Sequence, residues 1–145
     1  MADGYLDANI FIHAYANDVS TDDCRRFLLA LEAGRRRAVL EPVVLHELSD
    51  ALPRYLKQLT REDVADYLLM VVGWAGIECA KDLLVDGLQR WRATPGLGFT
   101  DAYLAALAAA NRSPVFTKNV AEFRAQGVAV PDPLPTDEEA MGGGP

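Results

Sequence analysis

The feature that most constrains this chain is an alternation of short apolar runs with amphipathic segments of helical period, repeated from Gly4 to Val130. Residues 4–6 read as a short buried strand and residues 9–16 as a short helix. The cluster Ser20-Thr21-Asp22-Asp23 opens a second helix, which carries Phe27, Leu28 and Leu31 at helical spacing and closes at Gly34. Residues 38–40 form a second strand. Glu41-Pro42 then starts a helix, because proline suits the first helical position, and Pro53 should break or kink it. Thr60 to Asp63 opens the next helix as a capping box, and that helix runs to Gly73. Ile77 marks a weak third strand, residues 80–91 a helix and residues 94–98 a loop, after which Thr100 caps an alanine-rich helix over 101–110. Residues 114–116 and 127–130 read as a fourth and a fifth strand around a short helical turn, 120–124.

Strands alternating with helices imply an α/β fold: a mostly parallel five-stranded sheet with helices on both faces. The 145 residues suit one domain, 1–133, followed by a flexible tail, 134–145, that ends in Gly142-Gly143-Gly144-Pro145. Half of the residues are hydrophobic, which excludes wholesale disorder. No apolar run approaches the roughly 20 residues that span a bilayer, so no membrane association is expected. The acidic N-terminus has no signal-peptide pattern, and Cys24 and Cys79 lack metal-site spacing, so they read as reduced thiols in a cytoplasm. Fourteen basic residues against 21 acidic ones give a net charge of -7, which argues against a protein that binds nucleic acid by bulk attraction. The basic run Arg35-Arg36-Arg37 reads more simply as a solvated turn.

One residue breaks the apolar pattern. In "YLDANIFI", Asp7 follows the first strand, although aspartate is a poor strand former and is rarely buried unpaired. In parallel sheets the functional crevice lies at the carboxyl ends of the strands. Asp7 stands at such an end, and Thr117 and Asn119 lie just past the fourth strand. Glu47, in "VLHEL", is on the helix after the second strand, and Asp101, in "GFTDAY", opens the alanine-rich helix. Carboxylates drawn together repel unless a cation neutralises them, and magnesium or manganese suits an all-oxygen set. Each position also has a simpler role. Asp7 and Asn119 could cap helices, Asp101 could serve the helix dipole, and Glu47 could be exposed or paired with Arg54. His13 and His46 are weak candidates for a general base; adjacent helical residues point about 100° apart, so His46 does not share Glu47's direction. Lys118 and Arg112 could touch phosphate. Trp74 and Trp91 read as packing residues.

The chain resembles the PIN-domain family, and within it the VapC-type toxin branch. The resemblance covers Tyr5 to about Pro133 and is carried by "YLDANIFIHA", "VLHEL", "GLGFTDAYLAALA", and "PVFTKNVAEF" followed by "GVAV", in that order. It implies a three-layer α/β/α sandwich and a ribonuclease dependent on Mg2+ or Mn2+. Asp7, Glu47 and Asp101 match the family's metal-holding acids, with Asn119 completing the set and Asn9 and Thr117 supporting it. Many members carry aspartate where this chain has Asn119, which brings no charge; nearby Glu122 could partly substitute. Ala8 replaces a small hydroxyl residue. The toxin branch implies an RNA substrate, a cognate antitoxin protein with basic side chains for the acidic groove, and a homodimer, for which 64–72 offers an apolar helix. Two other readings stand beside it. One is a non-catalytic PIN-like binding module with a degraded metal site. The other, an aspartate-nucleophile phosphatase, wants a second acid two residues after Asp7, where this chain has Asn9.

Overall fold

The computed structural model describes residues 1–137, so residues 138–145 of the expected tail lie outside the described residues. In chain order the elements are β1 (Gly4–Tyr5), α1 (Ala8–Ala16), α2 (Thr21–Ala33), β2 (Ala38–Val39), α3 (Pro42–Tyr55), α4 (Arg61–Val72), β3 (Ile77–Glu78), α5 (Lys81–Ala93), α6 (Phe99–Asn111) and α7 (Val120–Ala125). The three strands form one parallel sheet in the order β1-β2-β3, with Gly4 opposite Ala38 and Ala38 opposite Ile77. The α/β character holds, and helices crossing over between parallel strands account for the alternation in the sequence.

The five-stranded expectation is corrected to three detected strands among the described residues. Residues 114–116 and 127–130 form no ladder. They meet through one backbone bond, the Val115 N–H donating to the Ala129 carbonyl at 2.9 Å. Pro114 has no N–H to give, and Pro131 ends the other run, so neither edge can extend a ladder. The apolar residues there are buried another way. Val115, Phe123, Val128 and Val130 dock on Ala105 and Ala108 of α6 as a small second core.

Local sequence explains most helix ends. Gly34 closes α2 at φ 79°, a left-handed conformation that costs glycine little, and its N–H returns to the Ala30 and Leu31 carbonyls. Thr60 and Asp63 make the expected capping box on α4, each side chain accepting the other's backbone N–H. Two expectations change. Pro53 does not break α3; it lies inside the helix, which ends two residues later at Tyr55. α6 begins at Phe99 with Gly98 as its cap, because the Thr100 hydroxyl is engaged with His46 rather than with the helix backbone.

The main core gathers fully buried Phe11, Leu45, Leu48, Leu68, Leu84 and Leu88. α3, α4, α5 and α6 pack as a closed ring, and the α1–α2 pair joins the ring where α1 meets α3. α3 therefore touches both α1 and α6, the two other helices that bear candidate acids. Trp74 stacks on Phe11 with ring centroids 6.5 Å apart, and Trp91 is buried under Arg61, so both tryptophans are packing residues. Among the described residues no helix is long and apolar enough to cross a membrane.

Gly76 sets how closely the turn into β3 approaches α2. Its N–H donates to the Leu31 carbonyl at 2.8 Å and its carbonyl accepts from the Ala38 N–H at 2.8 Å. A Cβ there would lie 2.1 Å from the Arg36 oxygen and 2.5 Å from the Leu31 oxygen, both backbone atoms that cannot step aside. Gly76→Ala is expected to cost more than about 2 kcal/mol, read as a lower urea midpoint with an unchanged slope. Asp63 gives a pH-dependent companion. The Thr60 backbone N–H, then the Thr60 hydroxyl, hold its carboxyl below the ordinary value. Its contribution is thus present above the usual aspartate pKa of about 3.9 and is lost as pH falls through the folded value. Asp63→Asn should flatten that part of the acid-unfolding profile.

Candidate active site

The exit of β1 is built from a buried residue and an exposed one. Leu6 is buried and donates its N–H to the Val39 carbonyl at 2.9 Å; Asp7 then turns the chain into α1 at φ -95°, ψ 151°. Asp7 occupies the N-cap position, yet its side chain makes no cap bond and stands exposed. The exit of β2 repeats this pattern. Leu40 is buried and donates to the Glu78 carbonyl at 3.0 Å, and Glu41 caps α3 by position alone, at φ -90°, ψ 152°, again with no side-chain cap bond. Because β1 and β2 are adjacent and parallel, Asp7 and Glu41 leave the sheet at the same end. Glu41 was not singled out in the sequence, although Leu40-Glu41 repeats Leu6-Asp7. Its charge reaches Tyr103 on α6, whose hydroxyl is pushed up by burial and then by Glu41.

Glu47 is exposed on α3 and has no ion-pair partner; Arg54 pairs with Asp50 instead, at 3.1 Å. Asp101 is half-buried in the first turn of α6, where the helix dipole favours a negative charge. His46 and Thr100, the residues that precede these two acids, are joined by a hydrogen bond of 3.0 Å between Nδ1 and the hydroxyl. That bond ties the start of α6 to α3 beside both carboxylates.

Asn119 is exposed at the N-cap of α7 and makes no side-chain cap bond; its N–H donates to the Thr117 hydroxyl at 2.9 Å. Asn9 is exposed at the second position of α1. No side-chain hydrogen bond or ion pair links Asp7, Asn9, Glu47, Asp101 and Asn119 to one another. Among the described residues no group of three or more His, Cys, Asp or Glu side chains is placed to hold a metal ion. The donor set is nevertheless right in kind for a hard cation: exposed or half-exposed carboxylates with no internal cation. A magnesium site commonly takes one or two carboxylates and completes its shell with water and substrate phosphate.

The other polar candidates have structural work. His13 Nδ1 meets Asp18 at 2.7 Å, and the Thr21 hydroxyl donates to the His13 carbonyl at 2.7 Å, which fastens the α1–α2 turn. Arg36 and Arg37 face Asp3 and Glu78 at 4.0 and 3.5 Å, so the basic run sits at the strand-entry end, opposite Asp7 and Glu41. Lys118 and Arg112 are exposed and form no ion pair among the described residues.

The loop that delivers Asp101 is held by one side chain absent from the sequence reasoning. Arg61 donates to the Trp91 carbonyl at 2.6 Å, to the Thr94 carbonyl at 3.1 Å and to the Leu97 carbonyl, and its guanidinium lies 4.3 Å from the Trp91 ring centroid. Burial pushes its pKa down. Only the fold brings these carbonyls together; the sequence signal was no more than an arginine inside a capping box. Arg61→Leu is expected to cost about 2–4 kcal/mol in urea unfolding, since three carbonyls lose a charged donor. Arg61→Lys should restore less than half of that, because one ammonium cannot reproduce the fork.

Comparison with known proteins supplies the family. The model of the PIN domain matches residues 4–127, which is most of the chain. No curated protein and no solved structure matches the chain. The PIN domain is a nuclease-type α/β fold, generally that of metal-dependent ribonucleases, and it implies a nucleic-acid substrate. With Asp7 and Glu41 at one end of the parallel sheet and a family match over residues 4–127, this chain belongs to the PIN domain family.

Proposed function

We propose that the protein is a divalent-metal-dependent endoribonuclease that hydrolyses RNA phosphodiester bonds, and the cytoplasmic toxin of a toxin–antitoxin pair. One observation carries the nuclease reading: among the described residues Asp7, Glu47 and Asp101 have no side-chain partner, and they lie at or on three helices of which α3 touches the other two. Asp7 takes a cap position without making the cap bond, so its carboxylate stays open to a cation. Asp7, Glu47 and Asp101 would hold Mg2+ or Mn2+, with Asn119 adding a neutral oxygen and Asn9 and Thr117 in support. A bound ion would supply a polarised water and charge neutralisation at the phosphate. The chain's own residues do the rest. The exposed acids repel a bare phosphate, so a bound cation strengthens RNA binding at the acids. His46 and Thr100 hold α3 and α6 in fixed relation, which limits how far Glu47 and Asp101 drift apart. Asn119 carries no charge, and this lowers the demand for a second ion.

The partners follow from the acidic character. A cognate antitoxin would bring basic side chains to the carboxylates, and the chain would work as a homodimer. A second reading, a non-catalytic module, is favoured by Asn119 in place of an acid and by the lack of a ready three-acid group among the described residues.

Manganese titration by calorimetry separates them. The wild type should bind, and Asp7→Asn and Asp101→Asn should each weaken binding by more than about ten-fold with circular dichroism unchanged. RNA cleavage should fall with it. Binding indifferent to both substitutions would remove the nuclease assignment and favour the non-catalytic module.

A further inference from the structure

We propose that a notch between the first turns of α3 and α6 is a subsite for one unpaired nucleobase of the RNA, preferentially one that carries an exocyclic amine. The inference rests on the ribonuclease reading and deepens it. The notch has a volume of 240 Å³ and is lined by Pro42, Val43 and His46 of α3 and by Phe99, Thr100 and Tyr103 of α6. Phe99, 1% exposed, forms the floor, and the half-buried Tyr103 ring lies against it at 6.1 Å with a 26° interplanar angle. Val43, an apolar side chain 63% exposed on the opposite wall, has no protein cover.

Position and charge select the occupant. The notch is interleaved with the acids along the chain: Glu41 precedes Pro42, Glu47 follows His46, and Asp101 follows Thr100. A strand of RNA whose phosphate lies at Glu47 and Asp101 thus has a neighbouring base within reach of an apolar slot. The Glu41 charge near Tyr103 disfavours a phosphate or an acidic side chain in the slot, but not a neutral ring. The volume is below the roughly 300–1,000 Å³ of drug-sized pockets, which suits one flat group. Single-stranded RNA is read by splaying bases onto aromatic side chains and bonding their edges. His46 and Thr100 use one bond on each other, which leaves the other imidazole nitrogen and the spare capacity of the hydroxyl for a base edge. Glu41, whose charge reaches Tyr103, adds one acceptor near the notch. It favours bases with an exocyclic amine, adenine, cytosine or guanine, over uracil.

The test is fluorescence anisotropy with labelled single-stranded octamers of adenylate, cytidylate or uridylate, with calcium in place of manganese. The full chain should bind the first two more tightly than the third. Tyr103→Ala should weaken those two by about five- to hundred-fold, the range for loss of one stacked base, and abolish the preference, while Tyr103→Phe keeps it. Val43→Asp, on the exposed wall, should act like Tyr103→Ala and serves if that variant fails to fold. Affinities unchanged in folded Tyr103→Ala and Val43→Asp, or no octamer bound by the wild type, overturn the subsite. A wild-type dimer that either variant dissociates, with RNA affinity unchanged, assigns the notch to a second copy and also overturns it. The two proposals fail separately. A Tyr103-dependent base preference without manganese binding removes catalysis and keeps the subsite, whereas manganese binding without a Tyr103 effect removes the subsite alone.

Discussion

Strands of two residues cannot hold a domain together. Each parallel pair in this sheet contributes a handful of hydrogen bonds, each worth about 1 kcal/mol net. The fold therefore depends on helix against helix, and on the few points where backbone meets backbone without side chains between. Gly76 is the tightest of these, wedged between the Leu31 and Arg36 carbonyls. The sheet then acts as a positioning device. It brings the exits of β1 and β2 to one end and leaves stability to Phe11, the buried leucines and the ring of α3, α4, α5 and α6.

That division of labour bears on the site. Asp7 and Glu41 occupy cap positions and forgo the cap bonds that would add about 1 kcal/mol each. Asp101 takes a favourable place on a helix dipole but no ion pair, and Glu47 leaves Arg54 to Asp50. Thr60 and Asp63, by contrast, satisfy one another fully on α4. Asp7 and Glu41 leave the two strand exits without a side-chain partner, whereas Asp50, Asp66 and Asp86 pair with arginines on the helices. His46, Thr100 and Arg61 stiffen the frame around them: the first two tie α3 to α6, and the third anchors the loop from which α6 starts.

Much of this was legible in the residues. The apolar periods located every helix, and the break at Asp7 marked the first strand exit. Glu47 and Asp101 were picked out by their places on helices that follow strands or a loop, and the family resemblance added the weight that position alone did not carry. The C-terminal part was misread as two strands because Val115, Val128 and Val130 have strand composition. Their partner turned out to be the alanine face of α6, and composition carries no record of a partner. Thr100 looked like a cap by its type; a histidine 54 residues earlier had taken its hydroxyl. Glu41 was passed over because Pro42 already explained the helix start.

By itself the sequence determined what depends on near neighbours: the helices and their glycine and threonine ends, the crossover of parallel strands, and an acid after the first strand. These follow from spacing and backbone preference within a few residues. Only the tertiary structure decided which strands pair, that Arg61 reaches carbonyls 30 to 36 residues away, and that α3 and α6 enclose an apolar notch between acids. Those outcomes are set by burial and by competition for hydrogen bonds across the whole chain, and no local window holds both partners.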